Sequence, residues 1–276
     1  MPKVEMDHVQ LNYEVRGEGP PVIFLHGLGA SWRMWEPQID AFSSKYQMIM
    51  VDLRGHGEST KTFPDNTFSA RVMAEDLKML LDELHLSKIH LVGLSYGSVT
   101  AQLFALKYPH YINKLVLSNG YSEFPSKVSG WVLKLSNAIF KRLSYDTIIN
   151  QMMKVYGKDE YTKSVLRNSF TFDKDMFILA KNSEFPYHTD QLHRITSPTL
   201  VMGGEKKVMG VDEKKGSQNL FAHIPDAVLV LFKDAFDPLS TMRKDLFNEM
   251  VLDFLEGREF KSHDGVTVYR KEPVKI

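Results

Sequence analysis

The chain has 276 residues, a length that suits one large α/β core or one core with an insertion better than two independent cores. With 43% hydrophobic and 25% charged residues it is a globular composition, neither disordered nor collagen-like nor a membrane bundle. Lys plus Arg (34) balances Asp plus Glu (34), which removes a global field for nucleic acid or an anionic bilayer, and the lack of cysteine excludes disulfides, thiolate metal sites and Cys nucleophiles.

Met1 to Val9 lacks the apolar stretch of a signal peptide, and no apolar run nears the roughly 18 residues of a membrane span, so a cytoplasmic location is expected. Val9 to Val15 alternates as a half-exposed strand, and Val22 to Leu25 and Met48 to Val51 are continuous apolar runs of buried-strand length. From Phe68 to Leu84 the residues Val72, Met73, Leu77, Leu80, Leu81 and Leu84 recur at helical spacing. Ile89 to Val92 predicts a strand, Tyr96 to Lys107 a helix and Lys114 to Leu117 a strand, the alternation of a parallel sheet with helices on both faces.

Strand signal lapses from Gly120 to Ser197. There Trp131, Leu133, Leu135, Ile139 and Phe140, then Ile148, Met152, Met153 and Val155, predict helices. The alternation resumes with Thr199 to Met202, a helix around Gly216 to Ala222, a strand Val228 to Phe232 and a last helix Met242 to Leu255. The expected organisation is a core of residues 1–119 and 198–259, a helical cap of 120–197 and a C-terminal extension of 260–276. In the extension Val266 to Tyr269 alternates as a short strand, solvated or paired at a sheet edge; docking over a site or a partner is the alternative.

Gly93-Leu94-Ser95-Tyr96-Gly97 lies between a predicted strand and a predicted helix, the context of a nucleophile elbow. Glycines on either side relieve crowding in a sharp turn that lifts the hydroxyl clear of the sheet, at a helix start that favours negative charge. His26-Gly27-Leu28-Gly29 follows the strand Val22 to Leu25, where a turn can aim backbone N–H groups at an oxygen; the His26 side chain itself is read as structural. The loop Asp52 to Ser59 is likewise read as structural.

These motifs, in this order and strand context, resemble the α/β-hydrolase superfamily, in the branch with a helical cap between the sixth and seventh sheet strands, over residues 8 to about 256. The resemblance implies Ser95 as nucleophile and an oxyanion hole from the backbone N–H groups of Tyr96 and Leu28. It also implies an Asp after the strand near Met202 and a His after the strand near Phe232. The sequence departs from the pattern at both: the G-x-x-D turn reads Gly204-Glu205-Lys206-Lys207, and the histidine position is Asp237, with no histidine between His223 and His263.

Ser95 without its base is a poor nucleophile. Three accounts follow: a reversed ion pair between Lys207 and Asp237 that joins two loops; another base, either a desolvated neutral Lys207 or His263 from the tail; or a natural or engineered variant of an active hydrolase. Glu205, Asp212, Glu123 and Asn119 are assigned surface or loop roles. An Asp nucleophile is excluded, because position 95 is Ser.

Among the Met and aromatic residues of the cap, including Phe140, Met153, Phe170, Phe172, Met176 and Phe177, Trp131, Met152 and Tyr187 are the candidates for lining a substrate pocket. The expected ligand is a small apolar or aromatic molecule, with no metal, no cofactor, no nucleic acid and no membrane, bound by a monomer or homodimer. The expected function is an ester- or lactone-type serine hydrolase by descent with slow or unconventional activity. The alternative is a small-molecule binding or signalling protein without turnover.

Overall fold

The structure is a computed structural model, and it describes residues 3–6, 8–123, 142–171, 174–208 and 211–271. Its strands are β1 (Lys3–Met6), β2 (Val9–Arg16), β3 (Pro21–Leu25), β4 (Gln47–Val51), β5 (Ile89–Leu94), β6 (Ile112–Ser118), β7 (Thr199–Gly204), β8 (Lys207–Val208), β9 (Val211–Asp212), β10 (Ala227–Phe232) and β11 (Val266–Arg270). Nine form one sheet in the order β1-β2-β4-β3-β5-β6-β7-β10-β11, while β8 and β9 form a separate hairpin. Pairing is parallel from β4 through β10 and antiparallel at both flanks, β1–β2–β4 and β10–β11. This is the expected α/β architecture with a mostly parallel sheet.

The continuous apolar runs become strands because both sheet faces are covered, so every residue of β5 and β7 is buried. Alternate residues serve opposite faces. Ile23, Leu25, Leu91, Leu115 and Val201 pack with Met73, Leu77, Leu80 and Leu81 of helix α2 (Ala70–Glu83) and with Val99, Leu103 and Phe104 of α3 (Tyr96–Lys107). Phe24, Val92, Leu94, Val116 and Met202 face Trp35, Phe42, Phe247, Met250 and Val251. Each such side chain contributes about 1.5–3 kcal/mol on full burial.

Helix α2 starts two residues later than the hydrophobic period suggests. The Ser69 hydroxyl accepts from the Val72 N–H and caps it, leaving Phe68 outside the helix to pack its ring 5.2 Å from that of Tyr96. Helix α3 needs no amphipathic pattern, being buried from Gly97 to Ala105.

Between β6 and β7 the described residues form α4 (Tyr145–Met153), capped by Ser144, α5 (Glu160–Ser169), capped by Asp159, and α6 (Lys174–Asn182). The helix expected at Trp131 to Phe140 lies outside the described residues.

Two differences from expectation have local causes. The polar N-terminal segment forms β1, supported by backbone pairing with β2. The last helix is two, α8 (Leu239–Met242) and α9 (Lys244–Glu256), interrupted at Arg243, whose φ of −130° is not helical. The tail takes the edge-paired course: β11 pairs with β10 from Val266 to Arg270, and Lys271 Nζ donates to the carbonyls of Ala222 and Ile224 at the end of α7 (Glu213–His223).

Candidate active site

Ser95 stands between β5 and α3 with φ 54° and ψ −116°, a left-handed backbone that an L-residue adopts only when its surroundings impose it. A Cβ on Gly93 would lie 2.5 Å from the Gly97 carbonyl oxygen, and a Cβ on Gly97 would lie 2.3 Å from that of Leu25. Both glycines are therefore required for strand, elbow and helix to pack this closely. The Ser95 N–H donates to the Ser118 carbonyl (2.9 Å), which pins the elbow to the end of β6.

Tyr96 opens α3, so its N–H has no intrahelical acceptor and points toward the same end as the helix dipole. The turn after β3 lies directly against the elbow: a Cβ on Gly27 would be 3.2 Å from that of Ser95. Leu28 follows in that turn. His26 holds the turn from below, its Nδ1–H donating to the Gly27 carbonyl (2.8 Å) and its Nε2 accepting from the Leu53 N–H (3.1 Å). Burial lowers its pKa to about 4, so the ring is neutral.

The loop after β4 is a scaffold, as its composition suggests. Asp52 accepts from the N–H groups of Trp32 (2.7 Å) and Glu58 (3.0 Å), and from Asn12 Nδ2 (2.7 Å). Arg54 meets the Asp76 carboxylate through Nε (2.7 Å) and Nη2 (2.6 Å), a buried bidentate pair that ties the loop to α2.

Asp237 reaches the elbow from the connection after β10, with its carboxyl beside Ser95, which acts to lower its pKa. The Asp237 backbone is fixed on two sides: its N–H donates to Glu213 Oε1 (2.9 Å) and its carbonyl accepts from the Tyr156 hydroxyl (3.0 Å). Its Oδ1 is buried and has no hydrogen-bond partner among the described residues. Glu213, the first residue of α7, accepts through Oε2 from Asn119 Nδ2 (2.6 Å).

Burial pushes the Asp237 carboxyl well above the ordinary carboxylate range, against the opposing hydrogen bond from Ser95. Burial, then the neighbouring Asp237 charge, raises Glu213 as well. The phenols of Tyr121 and Tyr156 face the same two carboxyls, and burial holds both firmly protonated.

Lys207 stands apart from this cluster, which overturns the reversed ion pair. It lies on β8 opposite Asp212, its side chain is 73% exposed, and its Nζ is 2.7 Å from Asp212 Oδ2. The two-residue hairpin supplies a cross-strand carboxylate at no desolvation cost, so Lys207 has no reason to reach inward. The same exposure removes it as a desolvated base. His263 is also elsewhere, 3.4 Å from Glu249 on α9. All ten histidines are described, and none hydrogen-bonds Ser95.

Of the four polar residues assigned to surface or loop roles, Glu205 pairs with Lys214, Asp212 with Lys207, and Glu123 accepts from Thr189. Asn119 is the exception. It is 3% exposed and belongs to the site, because its positive φ of 50° turns the amide toward Glu213 and the start of α8. Sequence reasoning missed Glu213 altogether; the available signal was a carboxylate at a helix start in the connection after β7, beside the more conspicuous Asp212.

Met152 is half-buried against the core cluster around Trp35. Tyr187 is 56% exposed and lines a surface groove with Phe68, Arg71 and Glu184. Trp131 lies outside the described residues. Among the described residues no three His, Asp or Glu side chains converge as a metal site.

A glycine-flanked serine at a strand-to-helix turn, with an N-terminal helix amide beside it, has the geometry of a nucleophile elbow. The family model for the α/β hydrolase fold matches residues 20–145. The 2-hydroxy-6-oxononadienedioate/2-hydroxy-6-oxononatrienedioate hydrolase 2 of Pseudomonas putida is 29% identical over 273 residues, covering 91% of this chain and 93% of that protein. Two solved structures share the fold: the enol-lactonase from Burkholderia xenovorans LB400 (22% identity, TM-score 0.80, 92% of this chain and 100% of that one) and a thermophilic esterase from Thermogutta terrifontis (24%, 0.78, 90% and 94%). The chain has the α/β-hydrolase fold, and the proteins to which it is similar here are hydrolases. No helix among the described residues is long and apolar enough to cross a membrane.

Proposed function

We propose that the chain is a serine hydrolase for small esters or lactones in which Asp237 replaces histidine as the base of Ser95. The placement of the buried Asp237 carboxyl beside Ser95 carries this reading. An ordinary carboxylate is a weak base at neutral pH, but burial moves Asp237 toward the basicity of an imidazole. The substituted positions are Lys207, which takes no part, and Asp237, which does.

In the acylation step the Asp237 carboxylate takes the Ser95 proton as Oγ bonds to the carbonyl carbon. The oxyanion is held by the N–H groups of Leu28 and Tyr96 at the positive end of α3. Collapse breaks the ester C–O bond, and the leaving oxygen takes the proton back from Asp237. Water then gives a proton to Asp237 and its oxygen to the acyl carbon; Ser95 Oγ leaves with that proton and the acid product departs. Asp237 lacks a second ring nitrogen through which a buried acid could orient it and stabilise its protonated form, so turnover is slow relative to a complete triad.

Residues 120–197 are the cap of this reading, with Met152 a candidate contact for an apolar or aromatic substrate; the exposure of Tyr187 argues for a place at the rim. The absence of histidine at Ser95 favours one other reading, a binding or signalling protein that retains its ligand intact. Fluorophosphonate treatment followed by mass spectrometry, with a panel of esters and lactones, separates them. Stoichiometric labelling of Ser95, lost in Ser95→Ala, supports the hydrolase; ligand recovered intact with Ser95 unlabelled supports the binding protein.

A further inference from the structure

We propose that Glu213 is a positioning residue for Asp237, and that the two buried carboxyls carry one negative charge between them, Glu213 staying protonated while Asp237 is the carboxylate that accepts the Ser95 proton. This rests on the reading of Ser95 and Asp237 above.

The geometry is a clamp. Glu213 Oε1 accepts from the Asp237 N–H (2.9 Å) while Glu213 Oε2 accepts from Asn119 Nδ2 (2.6 Å). Asn119 Oδ1 in turn accepts from the Ser118 hydroxyl (2.8 Å) and from the Leu239 N–H (3.3 Å). The turn that carries Asp237 is thus held on both sides of Pro238, by Glu213 before it and by Asn119 after it. Three separate connections meet here, from β6, β7 and β10, and Glu213 is the side chain that joins them.

The charge surroundings explain the sharing. Ser95 faces the pair from the elbow, Asn119 and Tyr121 from the end of β6, and Tyr156 from the segment between β6 and β7; none of them is a cation. Among the described residues no Lys, Arg or His is ion-paired with either carboxyl, since the nearby Lys214 and Lys207 are engaged with Glu205 and Asp212. Two carboxylates in a covered site without a counter-cation repel each other strongly, so the first ionisation opposes the second. The Asp237 charge opposes ionisation of Glu213, and a protonated Glu213 leaves Asp237 free to act as a base.

The test follows the carboxyls directly, by ¹³C NMR of full-length protein labelled at Asp and Glu carboxyl carbons, in the wild type, Glu213→Gln and Asp237→Asn. Asp237→Asn is expected to move the Glu213 midpoint to lower pH by about one unit or more, because the charge that opposes its ionisation is gone, whereas Glu213→Gln should leave the Asp237 midpoint, the first ionisation of the pair, near its wild-type value. Because Asp237→Asn leaves the Glu213 contacts to Asn119 and to the backbone at 237 in place, it keeps the test valid if Glu213→Gln folds poorly. A Glu213 midpoint that ignores Asp237→Asn overturns the pairing, whatever Ser95 does. In parallel, the rate of Ser95 labelling against pH should keep its acid limb in Glu213→Gln and reach a lower plateau, because an amide cannot accept from both the Asp237 N–H and Asn119 Nδ2. An unchanged plateau overturns the positioning of Asp237 by Glu213. Coupled titrations in a protein whose Ser95 is unlabelled at every pH overturn the hydrolase reading instead.

Discussion

The Asp237 carboxyl lies beside Ser95, so the group facing the elbow is a buried carboxyl where the superfamily pattern places an imidazole. Asp237→Asn keeps the shape and removes the basic oxygen. It is expected to slow Ser95 labelling and ester turnover by about 10²-fold or more, the usual worth of a general base. Labelling rates by mass spectrometry check this, and an unchanged rate in Asp237→Asn places the base elsewhere.

Asp237→His is expected to raise ester hydrolysis, because the imidazole arrives beside Ser95 with the Glu213 carboxyl already bound to the backbone of residue 237. Adding Lys207→Asp should bring nothing more, since residue 207 is exposed on the β8–β9 hairpin. Glu213→Gln in the Asp237→His background should remove the gain. Phe236, stacked on Tyr156 at 5.3 Å, sets the room for the new ring. Initial rates of the three variants on one activated ester decide the matter, and a gain that depends on Lys207→Asp contradicts the arrangement.

Stability should fall on the acid side of neutrality. Burial lowers His26 to about 4 and His56 to about 3, both below the roughly 6.5 of an unfolded histidine. Between those values the unfolded chain binds protons that the fold refuses. The contribution of these histidines is therefore complete above about pH 6.5 and lost as pH falls through the folded values. Thermal melting between pH 7 and about pH 4 should show the loss, with a shallower slope in His56→Phe. Glu213 and Asp237 act with the opposite sign: their raised folded pKa values give stability that is full below the ordinary carboxylate range and declines as pH rises, a decline that Glu213→Gln should reduce.

Deleting residues 260–276 should lower the melting temperature and promote aggregation. Removal of β11 bares the edge of β10, uncovers Val228 and Phe232, and deletes the Lys271 bonds to the end of α7. Static light scattering during a thermal ramp checks this; a truncated chain that melts and scatters like the full one shows that β11 is dispensable.

Much of the fold is legible in the chain because it rests on local signals. Val22 to Leu25, Met48 to Val51 and Thr199 to Met202 are too apolar and too short to be anything but strands covered on both faces, and helix α3 was bounded at both ends by the elbow and by Pro109. The elbow was legible for the same reason, since both glycines sit within two residues of Ser95. The partner of that serine was not. Lys207 and Asp237 look complementary along the chain, yet Lys207 is claimed by Asp212 across a two-residue hairpin, while Asp237 is claimed by Ser95, Glu213 and Tyr156 from three other connections. A carboxyl acquires its basicity from what buries it, and burial is a property of the assembled sheet ends. Composition and spacing determined the scaffold and the elbow serine; only the tertiary structure decided which acid faces it and which second acid, Glu213, holds that one in place.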